Sequence, residues 1–313
     1  MPTARVSVLL VVLSGILFGT AGTAQALGPS DTTPLGLGIL RIQIGAVALL
    51  VAMPFLGGSP RRLLHLWRQP AILITSISAA VYQLCFFAGV LQVGVALGTL
   101  VAVGTEPIFA GLLGWRILRH RPTPGWLAAT LVCVAGLVLR SVGSLSGAGE
   151  AVGAAVGSAP VTGLLLALGA GLCSAGYTVA AKRQLDLGAT ALEVPTASFV
   201  LGGVLLLPIL AGQPLGWVAA PSGAALAVYL GVATMAIANV LLTRAIHGLT
   251  PGPVATLMLT DPVVATLLGV VVLGERLDLL AALGLLLVCG GLMAQGILAA
   301  RGSPDDQEPV PVL

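Results

Sequence analysis

Residues 95–118 read VALGTLVAVGTEPIFAGLLGWRIL, an apolar run with an acid and a proline, Glu106-Pro107, at its centre. Residues 251–273 read PGPVATLMLTDPVVATLLGVVVL, with Asp261-Pro262 in the same place. One offset links them: 155 positions on from Thr105, Glu106, Pro107 and Ala110 stand Thr260, Asp261, Pro262 and Ala265. Leu112, Leu113, Gly114, Leu118 and Arg121 meet Leu267, Leu268, Gly269, Leu273 and Arg276 at that spacing, and Gly136-Leu137 meets Gly291-Leu292. Each run is as long as the roughly 20 apolar residues that a helix needs to cross a bilayer. A duplicated membrane chain with a carboxyl at mid-depth in each half has the organisation of a transporter.

The rest of the chain agrees with a membrane setting. It is 57% hydrophobic and 8% charged, with a mean hydropathy of +1.07. A water-soluble fold of 313 residues cannot bury that much apolar surface and still cover itself with polar groups. Ten segments are long enough to span: 6–26, 35–57, 71–91, 95–118, 124–142, 160–181, 192–212, 222–243, 251–273 and 278–298. Turn chemistry separates them, as in Gly28-Pro29-Ser30-Asp31 and Gly57-Gly58-Ser59-Pro60. The runs are too long, and too little alternated, for barrel strands. The expected fold is an all-α integral membrane protein of ten transmembrane helices.

Orientation follows from the cations. With the N-terminus inside, Arg5, Arg61, Arg62, Arg68, Arg116, Arg119, Arg121, Lys182, Arg183, Arg244 and Arg301 collect on the cytoplasmic side, and only Arg140 and Arg276 fall outside. Both termini are then cytoplasmic in a multi-pass protein of the plasma membrane. Arg5, an apolar run and Ala24-Gln25-Ala26 imitate a signal peptide, but the pairing of the halves requires an uncleaved first span. Residues 6–142 form the first five-helix repeat, 143–159 a Gly/Ala/Ser linker, 160–298 the second repeat and 299–313 a cytoplasmic tail with Asp305, Asp306 and Glu308. Five spans is an odd number, so the second repeat starts from the opposite face and the two are inverted.

Chemistry concentrates at mid-depth. At about 1.5 Å per residue, Glu106 lies roughly 17 Å from one face and Asp261 roughly 15 Å from the other, near the middle of a core about 30 Å thick. A charge there costs about 2.5–3.5 kcal/mol on insertion scales, so each acid should face a cavity or a partner. Pro107 cannot donate to the carbonyl of Val103, nor Pro262 to that of Met258, which leaves an acceptor near each carboxyl. Such a site can hold a proton, a cation or a substrate ammonium; the plainer reading is a kink with a hydrogen-bonded acid. Arg41 either pairs with Glu106 or a substrate carboxylate, or extends its stem toward the surface. Gln43, Tyr82, Gln83, Tyr177 and Asn239 could line the path, and each could equally be an interhelical hydrogen bond. Gly15/Gly19 and Gly94/Gly98 have GxxxG spacing, which reads first as close helix packing and second as a homodimer surface.

Other chemistries find no support. The lone lysine, Lys182, follows no Gly-rich loop, so no P-loop is present. His65, His120 and His247 lack paired metal-ligand spacing, Cys85, Cys133, Cys173 and Cys289 form no CxxC, and there is no GxSxG elbow. No cofactor, metal or nucleic-acid partner is expected.

Ten spans in two halves, the Glu-Pro and Asp-Pro pairs, Arg41 and Leu273-Gly274-Glu275-Arg276-Leu277 together resemble the EamA-type members of the drug/metabolite transporter superfamily. The resemblance covers about residues 8–298. It implies inverted repeats around a central pocket and movement of small metabolites such as amino acids. Two positions depart from the pattern: Arg119-His120-Arg121 closes the fourth span without an acid matching Glu275, and Phe18-Gly19 stands where many members have Trp-Gly. The expected function is a secondary active transporter that exports small metabolites or drugs and is coupled to protons. Its partners are a small-molecule substrate, the lipid bilayer and protons. The alternatives are an intramembrane enzyme using the two acids as a dyad and a non-transporting membrane scaffold.

Overall fold

The computed structural model describes residues 2–58, 60–146 and 160–301. Ten helices among them are long and apolar enough to cross a membrane. They are α1 (Ala4–Ala26), α2 (Pro34–Ala52), α3 (Pro70–Val93), α4 (Val95–Leu118), α5 (Pro124–Ser146), α6 (Val161–Asp186), α7 (Glu193–Leu210), α8 (Pro221–Gly248), α9 (Pro251–Leu273) and α10 (Leu279–Arg301). Prolines open α2, α3, α8 and α9 at the first helical turn, where the missing N–H costs nothing. Outward-facing Val47, Leu165, Val271 and Leu286 are more than half exposed, a composition that suits lipid rather than water.

The second span ends earlier than expected. Its helix stops at Ala52, and residues 53–57 turn ahead of a short surface helix, Pro60–Leu66, that buries Leu63 and Leu66. Pro54 and the Gly57-Gly58 pair stop the helix there; the hydropathy of Met53, Phe55 and Leu56 concealed the end. At the other boundaries α5 runs on to Ser146 and α10 to Arg301. Most of the expected linker and of the acidic tail, with Asp305, Asp306 and Glu308, lies outside the described residues.

The packing obeys the exchange of each helix for the one five places on. The principal contacts α3–α6, α4–α6 and α3–α7 have the counterparts α8–α1, α9–α1 and α8–α2, while α2–α7, α4–α9 and α5–α10 map onto themselves. The 155-residue offset reproduces this at single residues. A methyl added to Gly136 would lie 2.7 Å from both Gly284 O and Val288 N. One added to Gly291 would lie 3.0 Å from Ala129 O and 3.1 Å from Cys133 N, the positions related to Gly284 and Val288 by the offset. Helix ends match as well: α9 closes on Gly274 at φ 71°, and α4 closes on Arg119, its counterpart, at φ 62°. With an odd number of spans in each half, the two repeats are inverted.

Polar groups between helices are spent on packing. Ser198 Oγ donates to Thr75 Oγ1 at 2.7 Å and Gln184 Nε2 to the same atom at 3.3 Å, tying α7 and α6 to α3. Gln43 Nε2 donates to the carbonyl of Gly203 at 2.8 Å and takes the interhelical role rather than the path-lining one. Gly15 and Gly19 are used within the chain: a methyl on Gly19 would lie 2.7 Å from Asp261 O, and one on Gly15 2.9 Å from Thr260 Cβ. Gly98 packs on Val90, and Gly94 forms the α3–α4 turn. Both GxxxG spacings therefore serve internal contacts and lend no support to a homodimer.

Candidate functional site

A cavity of about 530 Å³ occupies the middle of the bundle. Its lining runs from mid-depth to the face opposite the termini: the later turns of α1 (Phe18 to Gln25), the first turns of α2 (Pro34 to Ile42) and the end of α3 (to Val90). Phe199, Leu242 and Ala255 form its floor. Below them the terminal face is shut. Trp126 wedges against Gly111 and Gly252, where added side chains would collide with its ring. Its Nε1 donates to Thr256 Oγ1 at 3.1 Å, and Thr256 bonds Thr130 at 2.8 Å. Lys182 Nζ donates to the carbonyl of His247 at 3.3 Å and pairs with Asp186 at 3.2 Å, joining α6 to the end of α8.

Glu106, Asp261, Arg41, Tyr82, Gln83, Tyr177 and Asn239 all reach this one cavity. Pro107 and Pro262 do not line it; they act through the backbone. Glu106 lies inside an unbroken α4, with the Ser174 hydroxyl of α6 facing its carboxyl. Helix α9 is broken: Pro251–Leu257 is followed by a turn at Met258 and Leu259, and Thr260–Leu273 begins a second half-helix with Asp261 in its first turn. Across that turn Asp261 N donates to Met258 O at 3.0 Å. The carbonyl expected to be left open by Pro262 is therefore taken, because the break tightens the backbone into an i→i−3 bond.

Arg41 does not pair with Glu106. One terminal N–H donates to Gln83 Oε1 at 3.3 Å, and its charge faces Tyr82 and Asp261. Its Nε is buried without a partner, which leaves a donor for a ligand. Tyr82 stacks on Phe86 at 5.5 Å and Phe86 meets Phe87 edge-on at 5.3 Å, giving α3 an aromatic wall. Gly38 of α2 makes room for the Phe87 ring. Tyr177 stacks on Phe199 at 6.1 Å, and its buried hydroxyl points toward Thr243 without a hydrogen bond of normal geometry.

Helix α8 carries a π segment, Leu230–Ile237, beside the cavity. Asn239 Nδ2 donates to Met235 O at 2.9 Å and Thr234 O at 3.5 Å, so its amide serves the widened turns of its own helix. π turns of this kind gather at functional sites.

The sequence reading missed Arg140. Counted there as an outer loop cation, it sits in the wall of the cavity, with its charge facing Glu275 and Asp261. Its counterpart at the 155-residue offset is Gln295, which is buried. The expected span, 124–142, already held Arg140 near its outer end; the helix runs on to Ser146, which sets the residue deeper and in the cavity wall. Among the described residues no group of three or more His, Cys, Asp or Glu side chains could hold a metal ion.

A ten-helix membrane bundle with inverted halves and a central, largely apolar cavity that carries charged residues is the architecture of a membrane transporter. The chain belongs to the EamA-like transporter family, which it matches over residues 5–142 and 161–294. It is 34% identical over 306 residues to a protein of Bacillus subtilis described as the uncharacterized transporter YwfM, covering 96% of this chain and 95% of the relative. It is 29% identical over 289 residues to a protein of Streptantibioticus cattleyicolor described as a "probable terminal-alkyne amino-acid exporter", covering 92% of each. A solved crystal structure shares the fold with a TM-score of 0.78 at 24% identity, over 94% of this chain and 98% of that one.

Proposed function

We propose that the cavity is the substrate site of a secondary active exporter of small amino-acid-like metabolites, coupled to protons. The observation that carries this reading is the joint placement of two carboxyls and two guanidiniums on one cavity of about 530 Å³. A zwitterion needs both signs: a carboxylate fits the open donors of Arg41, and an ammonium fits Glu106 beside Ser174. The aromatic wall of Tyr82, Phe86 and Phe87 suits an apolar side chain. The volume falls within the roughly 300–1,000 Å³ usual for small-ligand sites.

The cation distribution supports a plasma-membrane orientation with both termini cytoplasmic. In that orientation the structure is the outward-open form, and the plug of Trp126, Thr256 and Lys182 closes the cytoplasmic side. The description of one relative as a "probable terminal-alkyne amino-acid exporter" is in line with this reading. Transport by an inverted-repeat protein proceeds by exposing one central site to each face in turn.

The test is counterflow in proteoliposomes. Purified chain is preloaded with a set of unlabelled L-amino acids, including one with a terminal alkyne, and challenged with the labelled forms. Saturable exchange of at least one, weakened in Arg41→Gln, is expected, and in a separate net-flux arm an imposed pH gradient should drive accumulation of that amino acid. No exchange with any amino acid refutes the substrate class, and net flux indifferent to the gradient refutes proton coupling.

A further inference from the structure

The two mid-depth acids are related by the repeat but not by their surroundings. Asp261 stands in the first turn of the half-helix Thr260–Leu273. The amide end and dipole of that helix favour a negative charge there. Arg41 from α2 and Arg140 from α5 both face it. Glu106 sits in the middle of Val95–Leu118, away from any helix end. The groups that face it are the Ser174 hydroxyl of α6, the Asp261 carboxyl of α9 and the Tyr82 phenol of α3. Among the described residues neither acid forms an ion pair, and the difference lies in the charges nearby: a carboxyl faces Glu106, whereas two guanidiniums face Asp261.

We propose that the repeat-related acids divide the work: Glu106 gains and loses the coupling proton, while Asp261 stays ionised and positions Arg41 and Arg140. With the site empty, Glu106 carries a proton. A substrate ammonium docking beside Ser174 takes its place, and the proton passes to cavity water. Asp261 is a positioning residue, since its carboxylate orients the guanidiniums that receive the substrate's anionic end. An inserted half-helix break in one repeat and not the other is the source of the asymmetry. The inference rests on the transporter reading, but its test needs no substrate.

The test uses infrared difference spectroscopy on the full chain in lipid nanodiscs, following the protonated-carboxyl stretch between about pH 6 and about pH 9, above the range in which ordinary carboxyls titrate. Wild type should lose this band on the alkaline side. Glu106→Gln should lack it across that range, and Glu106→Asp should keep it. Asp261→Asn should keep it with a midpoint moved toward acid, because the negative charge that faces Glu106 is then gone. Size-exclusion profiles and thermal midpoints report whether Glu106→Gln is folded, and the Glu106→Asp arm stands if it is not. The proposal is overturned if the band survives in Glu106→Gln, if it disappears in Asp261→Asn, if its midpoint is unmoved there, or if wild type shows no band. Failure of amino-acid counterflow would sink the substrate class and leave this spectrum unchanged, so the two results separate.

Discussion

Gly19 and Gly22 lie one turn apart on α1 and have opposite surroundings. A methyl on Gly19 would lie 2.7 Å from Asp261 O and 2.7 Å from Val264 Cβ, whereas one on Gly22 would find nothing within 4 Å. The first obstacle is α9 backbone, which cannot rotate out of the way as a side-chain tip could. Replacing either glycine with alanine gains the same helix propensity, about 0.5–1 kcal/mol. The difference between the two variants therefore isolates the clash, and overpacking of this kind costs about 1–3 kcal/mol. That is about a 5- to 150-fold difference in the folded-to-unfolded ratio. Equilibrium unfolding in mixed micelles, followed by tryptophan fluorescence, measures it. Gly19→Ala should unfold at lower denaturant than wild type or level with it, and Gly22→Ala at or slightly above wild type. Equal midpoints for the two variants would mean that α1 does not approach α9 at the broken turn, and the described geometry around Asp261 would be wrong.

Three further outcomes follow from the same contacts. Arg119 holds a left-handed backbone at φ 62° where its repeat counterpart is Gly274, so Arg119→Gly should stabilise the protein by about 1 kcal/mol in the same unfolding assay. Lys182→Met removes the link from α6 to the His247 carbonyl and to the half-exposed Asp186, about 1 kcal/mol of closure. In a cysteine-free background it should raise maleimide labelling of Ala255→Cys from the terminal face about five-fold; unchanged labelling would remove Lys182 from the closing contacts. Burial, and then the Lys182 charge, holds the His120 imidazole below its ordinary range, with Asp186 opposing. A depressed histidine favours its neutral form in the fold, so the unfolded chain binds the proton first as pH falls. Stability should accordingly decline as pH drops through the usual histidine range near ~6.5, and His120→Gln should flatten that decline.

How much could be read in advance depended on where the determining contacts lie. The spans were legible because lipid demands long apolar runs, and the repeat because Thr105-Glu106-Pro107 and Thr260-Asp261-Pro262 keep one offset. The common depth of Glu106 and Asp261 was legible from their places in the runs, whereas Arg41 was left open between a partner at that depth and the surface. Helix irregularity was not legible. Pro107 and Pro262 look alike in sequence, yet α4 continues through one and α9 breaks just before the other. That difference is settled by what packs around each turn, such as Gly19 beneath Asp261. The π segment of α8 contains no proline and left no pattern to follow. Arg140 was counted with the outer cations because it stands two residues from the end of the expected span 124–142, while the helix itself goes on to Ser146.

The central claim is that this cavity must open to the terminal face for transport to occur, and α4 and α9 meet at that face in a form suited to direct control. The Cβ of a side chain at Gly114 would lie 3.8 Å from Pro251 Cβ, close to the mean of about 3.8 Å found in disulfides. Gly114→Cys/Pro251→Cys, made in a background free of the four native cysteines and reconstituted in proteoliposomes, can be oxidised and then reduced in one sample. The account predicts that counterflow of labelled amino acid stops in the fully cross-linked protein and returns on reduction, while each single variant transports throughout. Unimpeded counterflow through fully cross-linked protein would contradict it.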